Sequence, residues 1–127
     1  RPGTPVVCFV GDGGAMMSGQ EVATAVQYGS DPIILVINNN SYGTIRMHQE
    51  RDYPGRALAT TLVNPDFAKW AESFGGYGAV VERTEDFESI FDAAMSAGRI
   101  SVIEIRVDLE TITTRTTLGK IRGSGAK

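Results

Sequence analysis

One cysteine, Cys8, and one histidine, His48, are all that 127 residues offer toward soft-metal chemistry. No internal disulfide can form, and so few ligands cannot build a zinc cage or an iron–sulfur cluster. Any metal must therefore be held by oxygen. Cys8 lies inside an apolar run, which predicts a buried, reduced thiol. Long apolar stretches are also missing: the longest, residues 6–10 and 33–37, have five residues each, whereas a bilayer-spanning helix needs about 20. No signal-peptide pattern stands before the first of them, and the expectation is a cytoplasmic protein without a membrane partner. Nor is there an excess of positive charge. Twelve basic and 15 acidic side chains leave a net charge of −3, which argues against a nucleic-acid or anionic-membrane surface.

What is present describes a folded domain. Hydrophobic residues make up 42% and charged residues 21%, the balance of a globular chain, and the length suits one domain. Fifteen glycines in 127 residues exceed the usual share of roughly 7%, so turns set by the backbone matter here. Along the chain, strand and helix patterns alternate. Residues 5–10 read as a fully buried strand, followed by the turn Gly11-Asp12-Gly13-Gly14. Ser18 and Glu21 form an S-x-x-E capping box that predicts a helix start, and Gly29-Ser30-Asp31-Pro32 ends that helix. Residues 33–38 read as a second buried strand, parallel to the first across a right-handed crossover.

Residues 39–63 carry no clear period and read as irregular. Asn64-Pro65 predicts an N-cap with proline at the first helical position, and Phe67, Trp70, Ala71 and Phe74 then mark one apolar helix face. A strand over 78–82, a helix from Thr84 to about Gly98 and a last strand over 101–107 complete the pattern. An α/β domain is thus expected over 1–108, and 109–127 is expected as a tail on the surface. The fold class is α/β, an open, mainly parallel sheet with helices on both faces.

In such sheets ligands bind beyond the carboxyl ends of the strands. Two polar clusters fall there: Gly11-Asp12-Gly13-Gly14 after the first strand and Asn38-Asn39-Asn40 after the second. Glycines let backbone N–H groups approach an anion, beside the positive end of the helix that follows. Asp12 offers an anionic oxygen and an asparagine amide a neutral one. One or two such ligands plus substrate phosphates are how Mg²⁺ is usually held. Either cluster alone is an ordinary turn; the two at successive strand ends point to a Mg²⁺–diphosphate site.

Gly11-Asp12-Gly13, then 24 residues, then Asn38-Asn39 resembles the signature of thiamine-diphosphate-dependent enzymes. Gln20-Glu21-Val22-Ala23-Thr24-Ala25 and Tyr42-Gly43 are similar to that family's writing of the same segment, in the acetolactate synthase, pyruvate decarboxylase and benzoylformate decarboxylase group. The resemblance covers nearly the whole chain, as the diphosphate-binding C-terminal domain. It implies thiamine diphosphate and Mg²⁺ as cofactors. Asp12, the Asn39 amide and the Ser41 carbonyl would be the metal ligands. Gly11, Gly13, Gly14 and Ala15 would lie against the diphosphate, with Tyr42 and Gly43 completing the cofactor-binding set. Gly14 stands where many relatives have serine.

The implied activity is decarboxylation or carboligation of a small-molecule 2-oxoacid. Tyr42-Gly43-Thr44-Ile45-Arg46-Met47-His48-Gln49 departs from the biosynthetic synthases and favours an acetolactate-synthase-like enzyme. His48 and Gln49 could face the substrate or lie on a solvated loop. The family's activating glutamate belongs to an N-terminal domain of a neighbouring subunit, so no residue here takes that catalytic role, and Glu21 is read as a helix cap. The resemblance further implies a homo-oligomer and a chain that begins inside its own domain, with an uncovered sheet edge, an exposed apolar face and no turnover by itself. A silent diphosphate-binding or regulatory module is the other reading. A different nucleotide-binding domain is disfavoured by the lack of G-x-G-x-x-G and of a Lys-containing phosphate loop.

Overall fold

The computed structural model describes residues 3–124. Four strands form one sheet: β1 (Val7–Gly11), β2 (Ile33–Asn38), β3 (Tyr77–Val81) and β4 (Ser101–Arg106). Their spatial order is β1-β2-β4-β3 and every pairing is parallel. The chain steps from β1 to β2, passes over β4 to reach β3, and returns. Among the described residues five helices connect the strands, α1 (Asp12–Ser18), α2 (Val22–Gln27), α3 (Gly43–Asp52), α4 (Phe67–Ser73) and α5 (Phe87–Met95), and α6 (Leu118–Ser124) follows β4.

Alternation along the central strands distributes side chains to two cores. Val36 of β2 and Val102 of β4 meet Ala15, Val22, Phe67 and Ala71 from α1, α2 and α4. Ile33 and Leu35 of β2, Val81 of β3 and Ile103 of β4 meet Ala94 of α5 on the other face. Helices therefore cover both faces, as the α/β reading expects. Trp70 belongs to the first core, edge-on to Phe67 at 6.4 Å and to Phe74 at 5.4 Å.

Several local expectations give way to tertiary structure. β1 is not buried: it is the sheet edge, with Val7 39% and Phe9 72% exposed, and Cys8 is exposed too. The register sets Val7 beside Ile33 and Phe9 beside Leu35, on the α5 face, but α5 packs over β3 and β4 and stops short of β1. The helix expected from Ser18 already begins at Asp12 and is broken by a 3₁₀ turn over Gly19–Glu21. Ser18 makes no capping hydrogen bond, and Glu21 instead accepts one from the Thr24 hydroxyl at 2.7 Å. The interruption falls where Gly19 lies under Trp70, since a Cβ there would come within 2.5 Å of the indole.

Within the segment expected as irregular, Gly43–Asp52 forms α3. The cap of α4 is Asp66, which accepts from the Lys69 N–H at 2.9 Å; Asn64 is used elsewhere. After residue 108 the chain is exposed over residues 113–115, then turns into α6 and buries Leu118 completely. That helix packs on α3.

Candidate active site

Parallel pairing of β1 with β2 brings their carboxyl ends to one edge, Gly11 opposite Ile37. Asp12 and the Asn38–Ser41 turn therefore leave the sheet side by side. Asp12 opens α1 and is only 2% exposed. Its Oδ2 accepts from the Ser41 N–H at 3.2 Å and from Asn64 Nδ2 at 2.7 Å. Among the described residues no donor reaches Oδ1. The same Ser41 N–H lies 3.1 Å from Asn39 Oδ1, so the carboxylate and the amide oxygen converge on one donor.

Ser41 is held on every side. It is buried, its hydroxyl donates to the Thr60 carbonyl at 2.7 Å, and its carbonyl accepts from the Gly43 N–H at 2.8 Å. The Tyr42 N–H donates to the same Thr60 carbonyl at 2.9 Å, and Leu62 N–H to the Asn40 carbonyl at 2.8 Å. Asn40 itself takes a left-handed φ of 55°, a conformation asparagine tolerates better than most. This short antiparallel bridge fixes the turn and carries residues 60–64 past the strand ends.

Between Gly11–Gly14 on one wall and Ser41–Ile45 on the other lies an open cavity of about 230 Å³. Two glycines permit the close approach of those walls. A Cβ on Gly13 would sit 2.6 Å from the Tyr42 ring, and one on Gly43 would sit 2.9 Å from Asn39 Nδ2. Asn39 lies behind the cavity wall, bracing Ser41, and Ala15 turns its side chain into the core. Gly14 is exposed at the mouth. His48 is exposed on α3, and Gln49 is committed to the Leu58 backbone, donating to its carbonyl at 2.9 Å and accepting from its N–H at 3.1 Å.

Among the described residues, no three His, Cys, Asp or Glu side chains gather to hold a metal ion. The available donors are one buried carboxylate, an amide oxygen and a backbone carbonyl. That is a hard, oxygen-only set of low charge, suited to a cation that brings phosphate oxygens with it.

Sequence reasoning missed three members of the surroundings. Asn64, expected as a helix cap, donates to Asp12. Asn38 is buried, and its Nδ2 donates to Glu104 Oε1 at 2.8 Å. Glu50, on α3, is 1% exposed and paired with Arg122 and Arg46. The Arg122 guanidinium first, then the Gly55 N–H, hold the Glu50 carboxyl down at about 2 despite its burial, with a smaller contribution from Arg46. Asn64 had the Asn-Pro step and Asn38 its place in the asparagine run; Glu50 had no sequence feature that drew notice.

Residues 1–105 match the family described as thiamine pyrophosphate enzyme, C-terminal TPP binding domain. The chain is 38% identical over 110 residues to the acetolactate synthase large subunit of Haemophilus influenzae, covering 85% of this chain and 19% of that protein. It is 33% identical over 108 residues to the acetolactate synthase of Bacillus subtilis, again covering 85% of this chain and 19% of the relative. Among solved structures, the thiamine diphosphate-dependent 4-hydroxybenzoylformate decarboxylase of Rhodococcus jostii RHA1 superposes with a TM-score of 0.78 at 30% identity, over 85% of this chain and 20% of that one. The benzoylformate decarboxylase of Polynucleobacter necessarius gives 0.77 at 26% identity, over 84% and 20%. The chain spans about a fifth of the length of these relatives. By its sequence over residues 1–105 and by its fold, this chain belongs to the C-terminal TPP-binding domain family of thiamine pyrophosphate enzymes.

Proposed function

We propose that this chain is the diphosphate- and Mg²⁺-binding part of an enzyme that decarboxylates or carboligates 2-oxoacids, in the manner of an acetolactate synthase. The observation that carries this reading is the convergence of Asp12 Oδ2 and Asn39 Oδ1 on the Ser41 N–H, beside a glycine-walled cavity that Asp12 and Ser41 line. Asp12, with Oδ1 free of protein donors, would ligate Mg²⁺ together with the Asn39 amide oxygen and the Ser41 carbonyl. The backbone at Gly13, Gly14 and Ala15 would lie against the diphosphate, and Gly11, Tyr42 and Gly43 would frame it. The chemistry supplied by bound thiamine diphosphate is stabilisation of the carbanion equivalent left when a 2-oxoacid loses CO₂. In this reading the residues of this chain bind and orient the cofactor. The names of the relatives support the substrate class, since benzoylformate is a 2-oxoacid.

In this reading the activating group comes from other domains and a second subunit of a cytoplasmic homo-oligomer, and this chain alone turns over no substrate. Calorimetric titration of thiamine diphosphate, with and without Mg²⁺, tests the site. Heat that requires Mg²⁺ and disappears in Asp12→Ala is the expected result. Binding indifferent to both would overturn it, and decarboxylation of a 2-oxoacid by the isolated chain would overturn the division of labour.

A further inference from the structure

Behind Asp12 a line of polar side chains runs across the end of the sheet to β4. Glu104 is 2% exposed, and its Oε1 accepts from Asn38 Nδ2 at 2.8 Å and from Arg106 Nε at 3.1 Å. Its Oε2 is buried without a partner. Asn38, 6% exposed, turns its Oδ1 the other way, accepting from the Asn40 N–H at 2.9 Å and from Asn64 Nδ2 at 3.0 Å. Asn64 Nδ2 also reaches Asp12 Oδ2 at 2.7 Å and Asn40 Oδ1 at 3.3 Å.

The order of donors and acceptors in this line is fixed by the carboxylates at its two ends and by the Asn40 N–H. An ionised carboxylate only accepts. Were the Asn38 amide reversed, its oxygen would face Glu104 Oε1 in a buried site where Oε2 already lacks a donor, setting acceptor against acceptor at high cost. The Asn38 oxygen must therefore point at Asn64. That in turn requires the NH₂ of Asn64, not its carbonyl, to occupy the place between Asn38 and Asp12. Glu104 and the Asn40 N–H thus hold the Asn38 amide in the orientation that keeps a donor on Oδ2 of Asp12. With Oδ2 engaged by Asn64 and Ser41, the carboxylate plane is set and Oδ1 is the oxygen left available.

We propose that Asn64 is a positioning residue for the cation, oriented by Glu104 through Asn38. This rests on the reading of Asp12 as a Mg²⁺ ligand. Outer hydrogen-bond partners of metal ligands affect affinity by about 10–100-fold.

The test is calorimetric titration of thiamine diphosphate into the full chain over a series of Mg²⁺ concentrations, with thermal unfolding as a check on folding. Asn64→Leu should raise the Mg²⁺ concentration for half-maximal binding by about 10-fold or more, while affinity at saturating Mg²⁺ returns to within about two-fold of the parent's. Glu104→Gln should shift the midpoint in the same direction by less, because glutamine can present either an oxygen or an NH₂ to Asn38. Asp66→Ala, which removes the cap of α4 two residues away, should lower thermal stability without moving the midpoint. General damage to the loop would instead depress affinity at saturating Mg²⁺. An unchanged midpoint in folded Asn64→Leu, alongside loss of Mg²⁺ dependence in Asp12→Ala, overturns the positioning role alone. If Asn64→Leu does not fold, an unchanged midpoint in folded Asn64→Ala does the same. No binding by the parent chain, or binding that survives Asp12→Ala, overturns the ligand reading and the positioning role with it.

Discussion

Arg122 lays two guanidinium nitrogens on the carboxylate of Glu50, Nε on Oε2 and Nη2 on Oε1, each at 2.9 Å across 72 residues of chain. This forked pair ties α6 to α3, the helix that begins at Gly43 on the cavity wall. Breaking it leaves a buried carboxylate with only Arg46 and the Gly55 N–H as partners. Arg122→Ala is expected to destabilise the fold. Denaturant unfolding measures it, and an unchanged midpoint would show that this pair contributes nothing to the fold.

The same pair sets a pH response. Glu50 titrates at about 2 in the folded chain against an ordinary 4.5. A depressed carboxyl contributes stability that is fully present above the unfolded value and lost as pH falls through the folded one. The melting temperature should therefore drop between about pH 4.5 and pH 2. In Glu50→Gln that part of the slope should vanish, with a lower melting temperature at neutral pH. Parallel slopes for parent and variant would show that other groups govern acid unfolding.

Gly13→Ala tests the closeness of the two cavity walls. The added Cβ would stand 2.6 Å from Tyr42 Cδ1 and Cε1 and 3.4 Å from Leu62 Cδ1, so the ring must move. Overpacking of this kind costs about 1–3 kcal/mol. The expected outcome is a lower melting temperature together with weakened thiamine diphosphate binding in the titration above. Retention of both values would mean that Tyr42 yields freely and that the wall is not fixed.

Cys8 is the chain's one thiol and is exposed on the edge strand. A thiol reagent should modify one equivalent per native chain without denaturant, at a rate within about ten-fold of the unfolded chain's. Protection far beyond that would mean that something covers β1 in solution, and a concentration series would show whether it is a second copy.

Much of this was legible in residue order, and the failures have physical reasons. β2 and β4, with apolar side chains on both faces, and α4 and α5, with a clear apolar stripe, declare themselves through local pattern. The two clusters of the site were readable because each follows a strand directly. β1 was read as buried since its composition suits a strand covered on both sides, and composition does not say what does the covering. α3 stayed hidden because Gly43-Thr44-Ile45-Arg46-Met47-His48-Gln49-Glu50-Arg51-Asp52 has little apolar stripe; its stability comes from Glu50 and from α6, 72 residues on. Asn64 beside a proline looks like a cap, but Asp12, 52 residues earlier, is the partner that takes its amide. Long-range pairs of polar side chains leave no mark on spacing.

β1 has consequences for how firmly the site is held. Among the described residues it ladders only to β2, whereas β4 is flanked by β2 and β3. Local opening is easier where fewer buried contacts and hydrogen bonds resist it. Amide hydrogens of Val7–Gly11 will exchange faster than those of Ser101–Arg106. Asp12 thus hangs from an exposed edge strand, while Asn39 follows β2, which is paired on both sides. Any surface that covers Val7 and Phe9 will slow the breathing of β1 and, by linkage, steady Asp12 and the cavity wall it belongs to.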